Sequence, residues 1–544
     1  MVATSPSAPA EAAPPLAAPF DVVRAVGCAV ISLIVGVTQG LGVNLIASNL
    51  PQVQGALGAT QTDTAWLLSA YYAVNVSSAL LLVKFRQQYG LRLFADIGIG
   101  VFLAVTVAHL FTNDLRSAVA VRAAQGLAAA PLSTLALFYM LEAFPQSWRA
   151  TALALGVGSS QLAVPLARVI SPDLLEIGQW HGLYLPEVGL ALLSLAGVNA
   201  IRLTPQPQVQ AFDRLDILSF GLFAPALGLF CIVLGQGRYV WWTEAPWLGV
   251  CLAVGIALFV VSITIELNRS HPLINFRWIT SEEMIRVAIA IVLFRVVLSE
   301  QSIGAIGFLQ TLGLNNDQLA GLSWAILAAT VAGFAAAAVS MSPKLMRPEL
   351  VRFPALAAVL MIALGAWIDA HATSLTRPAQ MYASQSLMAF ASALFLPSAM
   401  MVGISRASQR GPAYIVSFIA VFSGGQSLGG LMGSSLLGSF VTVREKFHSN
   451  QLVERITLAD PQVASRLRQL SGAYARVLGD KTLLNAEGPA LLGQQATREA
   501  YVLAYNDLFL LIMVMALMIF AWLAVVELRE RLRNRHARSE EALA

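Results

Sequence analysis

The chain has 544 residues, 57% of them hydrophobic and 12% charged, against about 45–50% and 25% in an ordinary soluble domain. That balance excludes a soluble enzyme, and a mean hydropathy of +0.69 requires many membrane spans instead of one anchor. The net charge of +4 is not a nucleic-acid signal, because the basic residues follow the pattern of membrane loops.

Residues 1–24 open with an Ala- and Pro-rich stretch, Met1 to Pro19, without the charged-then-apolar order of a cleavable signal; they read as a disordered cytosolic tail. Fourteen apolar stretches of spanning length follow: 25–50, 64–83, 93–112, 117–141, 151–171, 183–201, 215–236, 246–266, 285–309, 318–341, 351–372, 380–405, 412–441 and 504–526. An even number places both ends on one side. Alternate loops carry Lys84, Arg86, Arg92, Arg149, Arg202, Arg214, Arg269, Arg277, Lys344, Arg347, Arg352, Arg406 and Arg410, whereas the short loops facing the other way carry Arg116, Arg238 and Arg377. Basic loops stay in the cytoplasm, so both termini are expected inside. The basic tail, residues 527–544, fits a surface-bound cytosolic end.

Residues 442–500 form the one long outward segment, polar and carrying charges of both signs. Asp460-Pro461 has the form of a helix start, and Val463, Leu467, Leu470, Tyr474 and Val477 recur at helical spacing. An amphipathic helix is expected there, its apolar stripe resting on the protein's own loop or on a partner.

Chemistry is sparse. There is no phosphate-cradling loop with a lysine, no metal-ligand spacing among the six histidines and no nucleophile elbow, which argues against an ATPase and an intramembrane enzyme. No metal or cofactor is expected. Cys28, Cys231 and Cys251 lie in apolar runs and read as core residues. What remains is gradient-driven movement of a small molecule.

Polar groups inside spans then carry the information, because their burial is costly unless they line a path or find partners. Arg122, in Arg122-Ala123-Ala124-Gln125-Gly126, is flanked by small residues and must point into the bundle or to its mouth. Arg295 lies near the midplane of the ninth span, and Glu300 follows at about 140° around the helix. Glu300 is the candidate proton carrier, with a static pair to an arginine as the competing reading. Gln39, Asn44, Asn75, Gln161 and Gln426 could hydrogen-bond a substrate or join helices, and Tyr71, Tyr72, Trp324 and Phe422 could give it apolar contact. Asp96, Glu187 and Arg168 sit near span ends and read as interface residues. Gly425, Gly429 and Gly433 make a small-residue face for sliding or tight packing. The transport reading requires the mid-membrane guanidinium groups to border a hydrated lumen.

Arg122-Ala123-Ala124-Gln125-Gly126 resembles the fourth-helix R-x-x-Q-G motif of the major facilitator superfamily. With fourteen spans, the Pro272-Leu273-Ile274-Asn275-Phe276-Arg277 segment and a long outer loop before the last span, the chain resembles the EmrB/QacA-type drug:proton antiporters. The resemblance implies an all-α fold of two six-helix bundles, residues 25–201 and 285–526, with two inserted helices in 202–284, rocking around a central site. It also implies an inner-membrane antiporter for efflux and multidrug resistance, with Arg122, Gln125 and Gly126 in gating or proton transfer. A periplasmic adaptor on residues 442–500 follows in the same way. Departures are clear: the loop after span two reads Val83-Lys84-Phe85-Arg86-Gln87-Gln88-Tyr89-Gly90-Leu91-Arg92, with Gln87 for the gating Asp. Gly42 stands where the family has a first-span Asp, and the fifth-span glycine-proline motif has become Pro165-Leu166-Ala167-Arg168. The excess of buried positive charge favours anionic or neutral, partly aromatic cargo. An importer on the same fold and a non-transporting scaffold or receptor are the other readings.

Overall fold

The computed structural model describes residues 21–204, 208, 210, 212–269, 272–345, 353–473, 475–476 and 480–543. The first part of the expected tail, Arg347, Arg352, Tyr474 and Val477 lie outside them. Among the described residues the regular structure is helical. The first part comprises α1 (Val22–Ser48), α2 (Leu50–Leu57), α3 (Gln61–Tyr89), α4 (Leu91–His109), α5 (Leu115–Ala143), α6 (Arg149–Gln161), α7 (Ala163–Gly182) and α8 (Leu185–Ala200). Next come α9 (Arg214–Gln236), α10 (Pro246–Leu267) and the short α11 (Phe276–Ile279). The rest is α12 (Glu282–Leu298), a π-helical turn over Glu300–Ile306, α13 (Gly307–Thr311), α14 (Asn316–Ser340), α15 (Phe353–Asp369), α16 (Tyr382–Ser408), α17 (Pro412–Arg455), α18 (Pro461–Ser471) and α19 (Lys481–Leu543). Among the described residues each apolar stretch falls largely on helix, and 11 helical segments are long and apolar enough to cross a membrane.

Local chemistry sets the boundaries. Asp21 starts α1 by accepting from the amides of Val23 and Arg24, and reciprocal capping boxes start α3 at Thr60/Asp63 and α14 at Asn315/Gln318. Asp114 accepts from Ser117 Oγ at 2.6 Å and its amide at 3.0 Å, which holds its carboxyl below the usual range. Gly90 joins α3 to α4 at φ 85°, where a side chain would be strained.

Two spans differ from continuous rods. The fifth breaks at Leu162 into α6 and α7, and the ninth carries the π-helical turn that begins at Glu300. The outer segment, expected as a loop, is largely helix. With no breaker between Thr442 and Arg455, α17 runs on for 44 residues, and α19 begins at Lys481, well before its apolar stretch. Between them α18 starts at Asp460, whose carboxylate accepts from the Gln462 amide; it packs on α19, and its Leu470 is buried. Of the expected stripe, Leu470 is buried and Val463 and Leu467 are half-buried.

Helices α1, α3 and α4 pack around α5, with α8 against α1 and α4, and α12, α14, α15 and α19 pack around α16 and α17. The two groups meet where α6 and α7 lie on α14 and where α3 lies on α17. Helix α9 leans on α3, while Val250, Ile256 and Val260 of α10 are exposed, as lipid-facing residues are. On the basic side, Asp216 takes Lys84 Nζ at 2.6 Å and Arg269 Nη2 at 2.7 Å, tying α9 to α3 and to the end of α10.

Candidate functional site

A cavity of about 1490 Å³ lies between the two helix groups. Along α6 its wall runs from Arg149 to Gln161, about 18 Å of helix. Its mouth lies among Arg86, Gln87 and Gly90 after α3, Pro145, Gln146 and Arg149 before α6, and Ser405 and Ser408 of α16. These belong to the loops rich in Lys and Arg. The middle is apolar, lined by Leu137, Leu141, Leu153, Val157, Met400 and Ile404.

At the blind end the structure gathers Gln39 and Asn44 of α1, Tyr71, Tyr72 and Asn75 of α3, Gln161 of α6, Arg295 of α12, and Phe422 and Gln426 of α17. These lie in distant parts of the sequence and meet only through packing. Two of the amides are engaged: Asn44 donates to the Gly40 carbonyl at 2.8 Å and Asn75 to the Gly126 carbonyl at 2.9 Å. Gln426 has neither amide atom bonded. Trp324 is 56% exposed on the outer surface of α14 and has no place here.

Arg295 is held by the glycine face of α17. A Cβ at Gly429 would lie 2.9 Å from Arg295 Cβ, and one at Gly430 would lie 3.3 Å from its Nε. The bare helix lets the stem lie flat and delivers the guanidinium to the cavity. A Cβ at Gly425 would lie 3.3 Å from Ile291 and one at Gly433 would overlap Ser299 Oγ, so this face is a tight joint. No carboxylate or hydrogen-bond acceptor among the described residues meets the Arg295 guanidinium. The one acid on the wall, Glu142 near the mouth, is taken by Arg24 at 2.5 Å and by the Thr204 amide and hydroxyl.

Arg122 departs from the expectation that it borders a lumen. It is fully buried, and Nη1 donates to the Gly42 carbonyl at 2.6 Å and to Gln125 Oε1. Tyr71, which lines the cavity, lies over it with the ring centre 4.9 Å from Cζ. Gln125 Nε2 in turn donates to Glu187 Oε2 at 2.7 Å. Glu187 is thus sealed inside and not at the interface, because the amide of Gln125 links it to the arginine. Gly126 is where α5 and α3 touch: a Cβ there would collide with the Tyr71 carbonyl. Arg168 is likewise only 9% exposed and not an interface residue, whereas Asp96 stays accessible beside Arg92.

Glu300 is fully buried and meets a second acid, not an arginine. Gln385 Nε2 donates to Glu300 Oε1 at 3.2 Å and to Asp369 Oδ2 at 2.7 Å, and Ser384 Oγ donates to Asp369 Oδ1 at 2.5 Å. Glu187 and Asp369 were missed as site residues. For Asp369 the available signal was an acid in the last turn of an otherwise apolar stretch.

At the end opposite the mouth the path is shut by buried polar contacts. Asn316 Nδ2 donates to Asn49 Oδ1 at 2.8 Å and to the Ser48 carbonyl at 3.3 Å, while Asn49 Nδ2 donates to Ser171 Oγ at 2.6 Å. A deep cavity open at one end and bolted at the other is the geometry of one half of an alternating-access cycle.

Comparison with known proteins agrees with this architecture. Residues 32–214 match the model of the Major Facilitator Superfamily. The chain is 23% identical over 501 residues to the fatty acid resistance protein FarB of Neisseria gonorrhoeae, covering 87% of this chain and 91% of that protein. It is 21% identical over 474 residues to the multidrug export protein EmrB of Escherichia coli (strain K12), covering 85% and 87%. The crystal structure of the human organic anion transporter MFSD10 (TETRAN) has the same fold, with a TM-score of 0.53 at 12% identity over 90% of this chain and 99% of that one. The chain is therefore a multi-pass membrane protein that carries a major facilitator superfamily match over residues 32–214 and is similar along most of its length to the EmrB- and FarB-type efflux transporters.

Proposed function

We propose that the protein exports amphipathic organic anions, of the fatty-acid kind, from the cytosol across the inner membrane in exchange for protons. The observation that carries this is Arg295, a guanidinium on the cavity wall without a counter-ion among the described residues, in a cavity also lined by the amides of Gln39, Asn44, Asn75, Gln161 and Gln426. In a medium of low dielectric such a group attracts a carboxylate or sulfonate and repels a cation. The apolar walls between Arg295 and the mouth suit a hydrocarbon tail. The relationship to FarB, a fatty acid resistance protein, fits that cargo.

Residues 25–201 and 285–526 act as the two rocking bundles, with 202–284 carried between them and both termini in the cytosol, on the side of the basic loops. The pair Glu300 and Asp369, joined by one amide and touched by no cation among the described residues, is the site that exchanges protons. Arg122, Gln125, Gly126 and Glu187 couple α1, α3, α5 and α8 during gating. One proton moving down one pH unit supplies about 1.4 kcal/mol, enough for about tenfold accumulation. Residues 442–500 offer a helical platform for an adaptor protein.

Counter-flow of radiolabelled dodecanoate in vesicles holding the full-length protein, at two pH values, tests this reading. Dodecanoate should accumulate with a pH gradient, and Arg295→Gln should weaken its affinity at least about tenfold. Equal transport of a hydrophobic cation, or unchanged affinity in R295Q, would overturn it.

A further inference from the structure

One buried cation belongs neither to the cavity wall nor to the Arg122 network. Arg168 of α7 is 9% exposed, and no hydrogen bond or ion pair reaches it among the described residues. An unpartnered guanidinium inside a membrane protein is disfavoured unless something supplies the missing charge during the working cycle.

Its position indicates what that is. Val164, Arg168 and Ser171 follow at i, i+4 and i+7 and so share one face of α7. Val164 lines the cavity, and Ser171 accepts the Asn49 amide in the contact that shuts the far end. The other face, with Ala163, Leu166, Ala167 and Ile170, packs into the core formed with α1 and α3. At 1.5 Å per residue, Arg168 lies about 6 Å beyond the cavity wall and about 4.5 Å short of the closing contact. Along α7 it therefore stands between the cavity wall and the bolt.

We propose that Arg168 is a second anion station: when the Asn49–Asn316 contact parts, a carboxylate or sulfonate head group leaves Arg295 and is held by Arg168 before release. This rests on the anion reading of the cavity. It assigns the two sides of the membrane to two different arginines, Arg295 for uptake from the basic side and Arg168 for the opposite side. A guanidinium suits the task because it stays charged and grips a carboxylate through two parallel hydrogen bonds.

The test is exchange of radiolabelled dodecanoate in oriented vesicles holding the full-length protein, with the label presented to one side at a time. Arg168→Gln should leave half-saturation on the basic side within about twofold of the parent and raise it on the opposite side about tenfold or more. Arg168→Lys should raise the opposite-side value about threefold only, and it carries the test where R168Q does not assemble. Arg295→Gln should show the reverse sidedness. Equal shifts on both sides, or none, in the Arg168 variants overturn the station while leaving the anion reading intact. Failure of the parent protein to exchange dodecanoate overturns the anion reading and the station with it.

Discussion

Asn316, the first residue of α14, donates its side-chain amide to Asn49 Oδ1 at 2.8 Å and so fastens α14 to the end of α1 on the side where the cavity is closed. Both residues are buried, so water does not replace the bond while the contact holds. A neutral hydrogen bond of this kind contributes about 1 kcal/mol. Asn49→Ala or Asn316→Ala should therefore shift the population about fivefold toward the state open on that side. Spin labels at the exposed Gln52 and Asp317 report the opening as a longer distance; an unchanged distribution would show that the contact is incidental.

Reversing the charge at the cavity end should reverse preference. Arg295→Glu places a carboxylate among the same amides, so dodecanoate transport should fall at least about tenfold and tetraphenylphosphonium should become the better competitor. Competition between the two probes measures this directly, and retained preference for the anion would remove Arg295 from the binding site.

Glu300→Gln and Asp369→Asn keep the shape of the buried cluster but remove an acid. Each variant should retain anion exchange without a gradient and lose at least about tenfold in accumulation driven by a pH gradient. Parallel measurement of proton flux decides whether the acids carry the proton. Accumulation at the parental level in both variants would place coupling elsewhere.

Gly126→Ala forces α5 away from α3, because the new methyl group meets the Tyr71 carbonyl, a rigid backbone atom. The expected loss is about 1–3 kcal/mol of stability. Gly100→Ala, where nothing lies within 4 Å of the added carbon, should change stability by less than about 1 kcal/mol. Thermal unfolding of the two variants in detergent provides the comparison.

Asp216→Ala strips Lys84 and Arg269 of a shared, fully buried partner. Removing one member of such a cluster costs about 3–5 kcal/mol. Lys84→Ala should cost less, since Arg269 still satisfies the carboxylate. The same unfolding assay ranks them, and equal losses would show that Lys84 holds α9 to α3 by itself.

The succession of apolar stretches, their helical nature and the sidedness of the basic loops are properties of the sequence. They depend on the solvation of side chains and on backbone hydrogen bonds closed within one segment. So does the start of α18 at Asp460-Pro461, where the cap is local. Gln39, Asn44, Asn75, Gln161, Arg295 and Gln426 could be named as polar residues within spans, but that they share one cavity depends on how five helices pack. Tertiary structure alone decided that Arg295 is unpaired and cavity-facing while Arg122 is sealed, since each outcome turns on neighbours far along the chain: Gly429 and Gly430 for one, Gly42 and Tyr71 for the other. It also placed Glu187 and Arg168 in the interior and brought Asp369 to Glu300. A charge near the end of an apolar stretch has the same local sequence whether it reaches water or a buried amide, and only the packed helices distinguish the two.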